Sequence, residues 1–213
     1  MNVAIIDYGS GNLRSAAKAF ERAAAEAGLK TGIVVTGAAA DLDAADHIVL
    51  PGVGAFADCK KGLTALPGMI EALERAVIRN GRPFLGICVG MQLMATVGLE
   101  HGRHDGLGWI KGEVVPLKLA DATLKIPHMG WNELNFSSNH PFFKGAAPGV
   151  HVYFVHGYGF VAADPAMVLA HTDYGGEVSA VIGRDNMIGV QFHPEKSQAT
   201  GLKLITNFLE WRP

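Results

Sequence analysis

The chain has 213 residues, of which 49% are apolar, and its formal net charge is −2. A chain of this length can bury a substantial core, and its scattered charges predict neither a nucleic-acid-binding face nor a membrane-binding segment. The two cysteines, Cys59 and Cys88, lack CxxC spacing, so we expect no disulfide framework. The N-terminus lacks a basic region and reaches Asp7 early, so we do not expect a signal peptide. We therefore expect a single domain over residues 1–213, located in the cytoplasm.

The first half of the chain alternates short apolar runs with helical patterns. Runs that predict buried parallel strands occupy residues 3–6, 31–36, 47–50 and 83–85. Helical spacing occupies residues 13–27, with Asn12 at the N-cap and Gly28 as the stop. A second helical stretch covers residues 55–80, with a break near residues 67–68. This alternation predicts a mostly parallel sheet flanked by helices.

After residue 96, short strands separated by glycine-rich turns replace this rhythm. The predicted strands are residues 112–117, 131–136, 151–155, 167–170, 177–182 and 187–192. We expect them to be mostly antiparallel and to extend or flank the first sheet. A helix over residues 200–210 closes the chain, with Leu202, Ile205, Phe208 and Leu209 on one face.

Residues 86–90, Gly-Ile-Cys-Val-Gly, stand between an apolar run and a helix-like run at residues 91–95. A nucleophile at the apex of a tight strand-to-helix turn, with glycines on both sides, is the pattern of a nucleophile elbow. Glycines are needed there because the turn leaves no room for Cβ atoms. Free N–H groups of the following helix favour a thiolate at Cys88. A buried structural cysteine has the same local sequence, so other residues must decide.

A catalytic thiol needs a base, and that base needs an acceptor that fixes its tautomer. His193 and Glu195 follow the predicted strand at residues 187–192, and they offer this pair if the loop curves. The carboxyl ends of parallel strands form the edge where open sheets place their sites. With Cys88 in the same chain, the pattern favours a Cys88–His193–Glu195 triad over an isolated loop histidine.

Residues 51–54, Pro-Gly-Val-Gly, provide a candidate oxyanion donor. Glycines flanking one apolar residue let a peptide plane rotate at low cost, so the N–H of Val53 could face an oxyanion beside the N–H of Val89. An ordinary strand-to-helix turn has the same composition. Gln92 lies one helical turn beyond Cys88, where its amide could face a polar substrate or solvent.

No cofactor or metal site is predicted from the sequence. Gly9-x-Gly11 would need a glycine at position 14 to form a dinucleotide-binding loop, and that residue is Arg14. His101 and His104 have no further clustered ligand, so a zinc site there is not expected.

Together, these residues resemble the class I (triad) glutamine amidotransferases. The similarity lies in Gly86-x-Cys88-x-Gly90-x-Gln92 and in His193-Pro194-Glu195. Four further stretches are similar to the branch of this family that supplies ammonia to a cyclase of histidine biosynthesis. They are residues 7–12, 51–56, 127–132 and 191–197.

The resemblance implies a flavodoxin-like α/β fold and a glutaminase mechanism. Cys88 would attack the side-chain amide of L-glutamine, with His193 as acid and base and with the N–H groups of Val53 and Val89 holding the oxyanion. The ammonia would pass to a (β/α)8-barrel cyclase subunit in a heterodimer, giving imidazole glycerol phosphate and an aminoimidazole carboxamide ribotide. Another class I amidotransferase and a stand-alone cysteine hydrolase are the alternatives.

The resemblance also implies substrate and partner contacts. The implied glutamine-binding residues are Gly52, Gln92, Glu100, Gly157 and Tyr158. The implied partner-facing residues are Asn12, Trp131 and Lys196. The family usually has a serine and an aromatic residue after His156, where this chain has Gly157 and Gly159. We therefore expect backbone contacts from this segment to replace a lost side-chain contact.

Overall fold

The computed structural model describes residues 1–121 and 123–213, and its strands form three sheets. The strands of the first half are β1 (Asn2–Ile6), β2 (Gly32–Thr36), β3 (His47–Gly52), β4 (Phe84–Cys88), β5 (Val97–Gly98) and β6 (His104–Asp105). Those of the second half are β7 (Gly112–Pro116), β8 (His128–Glu133), β9 (Asn135–Phe136), β10 (His151–His156), β11 (Tyr158–Ala162), β12 (Val168–Asp173), β13 (Glu177–Arg184) and β14 (Met187–Val190).

The helices lie mainly in the first half of the chain. They are α1 (Leu13–Glu26), α2 (Phe56–Ala65), α3 (Met69–Leu73), α4 (Val89–Gln92) and α5 (Gln198–Glu210). A π-helical turn, Glu74–Arg79, continues α3. None of these helices, in the part of the chain that the structure describes, is long and apolar enough to be a membrane span.

The central sheet has eight strands in the order β2-β1-β3-β4-β14-β13-β12-β9. The pairings from β2 to β14 are parallel, and those from β14 to β9 are antiparallel. Gly52 lies opposite Cys88, and Val190 lies opposite Ile87. The carboxyl ends of β3, β4 and β14 are therefore neighbours, which brings together three segments that are far apart in sequence.

Hydrophobic burial explains why these elements assemble. Every residue of β3, β4 and β14 is buried, as expected for parallel strands covered on both faces. The buried face of α1 packs against α5, and the rings of Phe20 and Phe208 meet edge to face with centroids 6.3 Å apart. Helices thus cover the central sheet and fix the strand ends that carry the site.

Most predicted elements of the first half are confirmed. Strands β1 to β4, helix α1 and the helix break near residues 67–68 lie within a few residues of their expected positions. Asn12 is the N-cap of α1, but its side chain makes no capping hydrogen bond. The helix expected after the elbow is only one turn long, because α4 ends at Gln92. The organisation of residues 1–213 as a single domain stays a prediction.

The second half departs more from expectation. Strands β5, β6 and β11 were not predicted, and they join β7 in a small sheet of order β11-β7-β5-β6. The strand predicted over residues 131–136 is two strands, since β8 ends at Glu133 and β9 pairs with β12 instead. In the last helix, Leu202 is only partly buried, whereas Leu204 lies on the fully buried face. Strand β14 pairs in parallel with β4, so it belongs to the parallel part of the sheet.

Candidate active site

The strand-to-helix turn at Cys88 has the geometry of a nucleophile elbow. Cys88 lies in the positive-φ region, with φ 54° and ψ −110°, a conformation that costs energy for any residue with a Cβ. A Cβ at Gly86 would stand 2.6 Å from the Gly90 carbonyl oxygen, and one at Gly90 would overlap the Leu50 carbonyl oxygen. The two glycines are therefore required by close backbone approach, as the sequence predicts.

His193 and Glu195 form the ion pair that the sequence predicts. Nδ1 of His193 lies 2.8 Å from Oε1 of Glu195, and both side chains are almost fully buried. The loop curves because Pro194–Lys196 forms a 3-10 turn. Ser197 stabilises that turn by donating to the His193 carbonyl oxygen at 2.7 Å. The carboxylate thereby fixes the proton of the imidazole on Nδ1.

The other ring nitrogen of His193 remains available for chemistry. Nε2 of His193 is buried and has no hydrogen-bond partner among residues 1–121 and 123–213. Burial alone disfavours the imidazolium, but the sulfur of Cys88 and the carboxylate of Glu195 stabilise it more strongly, which raises the pKa of His193 to about 9. The site therefore favours a protonated imidazole next to the sulfur of Cys88.

One cavity of about 190 Å³ joins these groups. Its lining consists of Val53, Gly54, Cys88, Val89, Gln92, Glu100, Val155, His156, Gly157, Tyr158 and His193. Val89 is the first residue of α4, so its N–H has no partner within that helix. Of the predicted substrate contacts, Gly52 is not in the lining. It is buried behind the elbow, where a Cβ would stand 2.6 Å from the hydroxyl of Tyr8.

The side chains of Gln92 and Glu100 are held by the surrounding structure. The Nε2 of Gln92 donates to the carbonyl oxygen of Tyr158 at 3.2 Å and to Oε1 of Gln191 at 3.0 Å. Oε2 of Glu100 accepts from the N–H of Phe56 at 2.7 Å. Gln92 is therefore not a solvated helix position, and a fixed carboxylate faces the same cavity.

The N–H of Val53 does not face the cavity as an oxyanion donor in this conformation. It donates to Oγ of Ser10 at 3.2 Å, and the Ser10 hydroxyl donates in return to the Val53 carbonyl oxygen at 2.5 Å. The thiol of Cys59 also donates to that carbonyl at 3.4 Å. Gly54 follows with φ 100°, which only glycine adopts readily. Both polar groups of the Val53 residue are thus held on the side of Ser10.

The predicted partner-facing residues lie at the surface. The side chain of Trp131 is 46% exposed and meets the ring of Tyr153 edge to face, with centroids 6.0 Å apart. The ammonium of Lys196 lies 5.8 Å from the centre of the same Tyr153 ring. Asn12 begins α1, which packs against the turn that contains Lys196.

Gln191 is a site residue that the sequence analysis did not identify. Its side chain is fully buried, and its Nε2 donates to the sulfur of Cys88 at 3.7 Å. The available signal was a polar residue at the end of an apolar strand. Ser10 and Cys59 were missed for a different reason, because nothing local to either residue indicates a contact with Val53.

The described parts of the chain contain no group of three or more histidine, cysteine or acidic side chains arranged to hold a metal ion. The chemistry that the arrangement supports centres on the sulfur of Cys88 and the imidazole of His193. A cysteine sulfur beside an imidazole that can take and return its proton, with the N–H of Val89 close by, can attack a carbonyl carbon and stabilise the resulting oxyanion.

Known proteins are similar to this chain over nearly its whole length. Residues 4–211 match the family described as Glutamine amidotransferase class-I. Over the full length of both chains, the sequence is 60% identical to the imidazole glycerol phosphate synthase subunit HisH of Rhodospirillum rubrum. It is 59% identical to the proteins of the same name from Brucella suis and Agrobacterium fabrum, again over the full length of both chains.

Solved structures show the same fold at lower identity. A crystal structure titled as a glutamine amidotransferase is similar with a TM-score of 0.70 and 19% identity, covering 98% of this chain and 97% of the other. A glutamine amidotransferase from Thermotoga maritima is similar with a TM-score of 0.63 and 19% identity, covering 99% and 83% of the two chains.

Proposed function

The chain belongs to the class-I glutamine amidotransferase family, and we propose that it hydrolyses L-glutamine to glutamate and ammonia as the glutaminase subunit of an imidazole glycerol phosphate synthase, in histidine biosynthesis. The observation that carries this proposal is the meeting of Cys88 and His193 in one cavity, with Glu195 behind the imidazole. Relatives at up to 60% identity over the full chain support the choice of synthase.

In the first half of the reaction, the thiolate of Cys88 attacks the side-chain amide carbon of glutamine. The carbonyl oxygen becomes an oxyanion that the N–H of Val89 and, once reoriented, the N–H of Val53 hold. His193 gives its proton to the amide nitrogen, and ammonia leaves as the tetrahedral intermediate collapses to a thioester on Cys88. Glu195 keeps the imidazole in the tautomer that this step needs.

In the second half, His193 removes a proton from water, and the hydroxide attacks the thioester carbon. The C–S bond breaks, glutamate leaves, and the thiolate and the imidazolium are regenerated. The imidazolium is the resting form near neutral pH because the pKa of His193 is raised to about 9. The enzyme therefore starts each cycle with the proton that ammonia will take already on His193.

The substrate amino acid carries an ammonium and a carboxylate that the cavity must recognise. Glu100 supplies a negative charge to the ammonium, and its position is fixed by the N–H of Phe56. The amide nitrogen of Gln92 is already engaged, which leaves its carbonyl oxygen as the acceptor for a ligand. Backbone groups of Gly157 and Tyr158 complete the same wall, and Gly52 supports the elbow from behind.

The proposed partner is a (β/α)8-barrel cyclase subunit in a heterodimer, to which ammonia is channelled. Trp131 offers an exposed aromatic side chain next to Tyr153, a type of residue that is enriched in interfaces. The ammonium of Lys196 lies over the ring of the same Tyr153. Asn12 begins the helix that packs on the Lys196 turn. We place the complex in the cytoplasm, where the two buried free cysteines stay reduced.

Partner binding also offers a reason for the orientation of Val53. A glutaminase that is inactive until the acceptor of ammonia is bound does not release ammonia that no acceptor can use. Release of the Val53 N–H from Ser10, with rotation of the Gly52–Val53 peptide, would complete the oxyanion site. A stand-alone hydrolase needs no such step, and it would turn over glutamine at full rate by itself.

The test is a Cys88→Ala variant assembled with the cyclase of the same organism. We expect glutamine-dependent synthesis to fall by at least about 10³-fold, while synthesis from added ammonia stays within about twofold of wild type. The ammonia reaction is the control for folding and assembly. Retained glutaminase activity in Cys88→Ala would contradict the mechanism, and full activity of the wild-type subunit without any cyclase would contradict the assignment to a synthase.

A further inference from the structure

A row of hydrogen-bonded polar groups runs from β8 to the wall of the catalytic cavity. Nδ2 of Asn132 lies 3.3 Å from Nε2 of His128, and Nδ1 of His128 lies 3.0 Å from Nε2 of His156. Nδ1 of His156 lies 2.9 Å from the carbonyl oxygen of Tyr158. His156 and Tyr158 both line the cavity. Four consecutive groups therefore connect an outer strand with the site.

The carbonyl oxygen of Tyr158, at one end of this row, determines the donor and the acceptor of every hydrogen bond in it. A carbonyl oxygen only accepts, so Nδ1 of His156 carries a proton and donates to Tyr158. Nε2 of a neutral His156 is then an acceptor, which requires a proton on Nδ1 of His128. Nε2 of His128 is an acceptor in turn, and it meets the amide N–H of Asn132. Both imidazoles are thus neutral Nδ1–H tautomers, and protonation of either one would set two donors against each other.

The surroundings of the two rings support the neutral state. The ring of His128 is stacked between Tyr174, with centroids 3.9 Å apart, and Phe154, at 4.7 Å. Burial and then the proximity of His156 lower the pKa of His128 to about 4. Burial is also the main cause that lowers the pKa of His156 to about 4. Both rings therefore stay uncharged near neutral pH.

Beyond the two histidines, the row reaches the nucleophile. The carbonyl oxygen of Tyr158 also accepts from Nε2 of Gln92 at 3.2 Å. Gln92 donates to Gln191 at 3.0 Å, and Gln191 donates to the sulfur of Cys88 at 3.7 Å. A displaced Tyr158 carbonyl would therefore move Gln92, which faces the ligand.

We propose that His128 and His156 are positioning residues for glutamine: their directional hydrogen bonds hold the Tyr158 carbonyl and Gln92 in the geometry that receives the substrate. The proposal rests on the glutaminase activity proposed above. The two histidines touch neither the thiol nor the Glu195 pair by hydrogen bonds in the described residues. Their loss should therefore weaken glutamine binding more than it slows the chemistry.

Two substitutions at position 128 separate positioning from packing. His128→Phe keeps a ring between Tyr174 and Phe154 but removes the donor to His156, while His128→Asn keeps an N–H near the Nδ1 position and loses the stacking. We expect His128→Phe to raise the KM for glutamine about 10-fold, as for a buried partner left unsatisfied, with kcat within about threefold. We expect His128→Asn to restore KM to within about threefold, despite a lower melting temperature.

The kinetics are measured on the complex with the cyclase, and Tyr174→Phe is the matched control because it keeps the ring that covers His128. A purely structural role predicts the opposite order, with His128→Asn worse than His128→Phe in both KM and melting temperature. That order, or an unchanged KM in His128→Phe, would overturn the proposal.

The tautomers give a test that needs no activity. Side-chain ¹⁵N chemical shifts of the wild-type protein should show protonated Nδ1 and unprotonated Nε2 at both His128 and His156. A proton on Nε2 of either ring would overturn the proposed directions of the hydrogen bonds in this row, even in a fully active enzyme. Conversely, a wild-type complex without cysteine-dependent glutaminase would overturn the proposed function and the positioning role, whatever the tautomers are.

Discussion

The two sides of the catalytic cavity are prepared to different degrees. On one side, Cys88 and His193 lie at the ends of neighbouring parallel strands, buried and with the imidazole fixed by Glu195. On the other side, Val53 is 42% exposed and its N–H is bound to Ser10. The nucleophile and its base are therefore in place, while one of the two proposed oxyanion donors faces Ser10. We therefore expect the orientation of the Val53 peptide, and not assembly of the triad, to limit activity.

The largest effect on kcat is expected when Glu195, which orients His193, loses its charge. Glu195→Gln leaves the shape in place but removes the charge that fixes the tautomer of His193, so kcat should fall by about 10²–10⁴. The same change should lower the pKa of His193, seen as a shift in the pH profile of kcat/KM. Glu210→Gln, at an exposed position at the end of α5, is the matched control. A loss smaller than tenfold would contradict the role of Glu195.

The raised pKa of His193 should also make the free energy of unfolding depend on pH. The pKa of His193 is about 9 in the fold against an ordinary 6.5, so its contribution is complete below pH 6.5 and is lost as the pH rises through about 9. The free energy of unfolding should therefore drop across this interval, by on the order of 1–3 kcal/mol. Urea titrations at several pH values measure this, and His193→Gln should lack that part of the slope. Parallel curves for both proteins would contradict the pKa.

A substitution that frees the Val53 N–H should raise the rate of glutamine hydrolysis instead of lowering it. Ser10→Ala removes the acceptor that holds the Val53 N–H, so the isolated subunit should hydrolyse glutamine about 10-fold faster, since about 1.4 kcal/mol is typical for lost hydrogen bonds of this kind. Stimulation by the cyclase should shrink by the same factor. Ser10→Thr keeps the hydroxyl and should behave like wild type. An unchanged or lower basal rate in Ser10→Ala would show that Ser10 does not restrain the peptide.

The smallest effect is expected at Gly157, which lines the cavity next to His156. Gly157→Ser supplies the hydroxyl that the family resemblance implies at this position. Its Cβ would stand 3.3 Å from Cγ2 of Ile126, an exposed side chain that can move. We expect the KM for glutamine to fall about two- to fivefold, as for one added hydrogen bond. Gly159→Ser, outside the cavity lining, is the comparison variant, and a higher KM in Gly157→Ser would contradict this account.

The sequence predicted the triad side of the cavity better than the Val53 side. The elbow and the His193–Glu195 pair were predictable because tight turns and strand-end residues have local signatures, and parallel pairing then brought them together. The orientation of Val53 was not, since it depends on Ser10, more than forty residues away in sequence.

The histidine row shows a second reason for failure. His128 and His156 lie on paired strands, and their meeting follows from the register of β8 with β10, which no local pattern encodes. Strands β5 and β6 were missed for a different reason, because each is only two residues long.

The most direct measurement of the central claim is covalent labelling by a diazoketone analogue of glutamine, followed by mass spectrometry of the digested complex. The account predicts a single adduct on the peptide that contains Cys88, protection by glutamine, and faster labelling when the cyclase is bound. An adduct on Cys59, or labelling of Cys88 that glutamine does not slow, would contradict it.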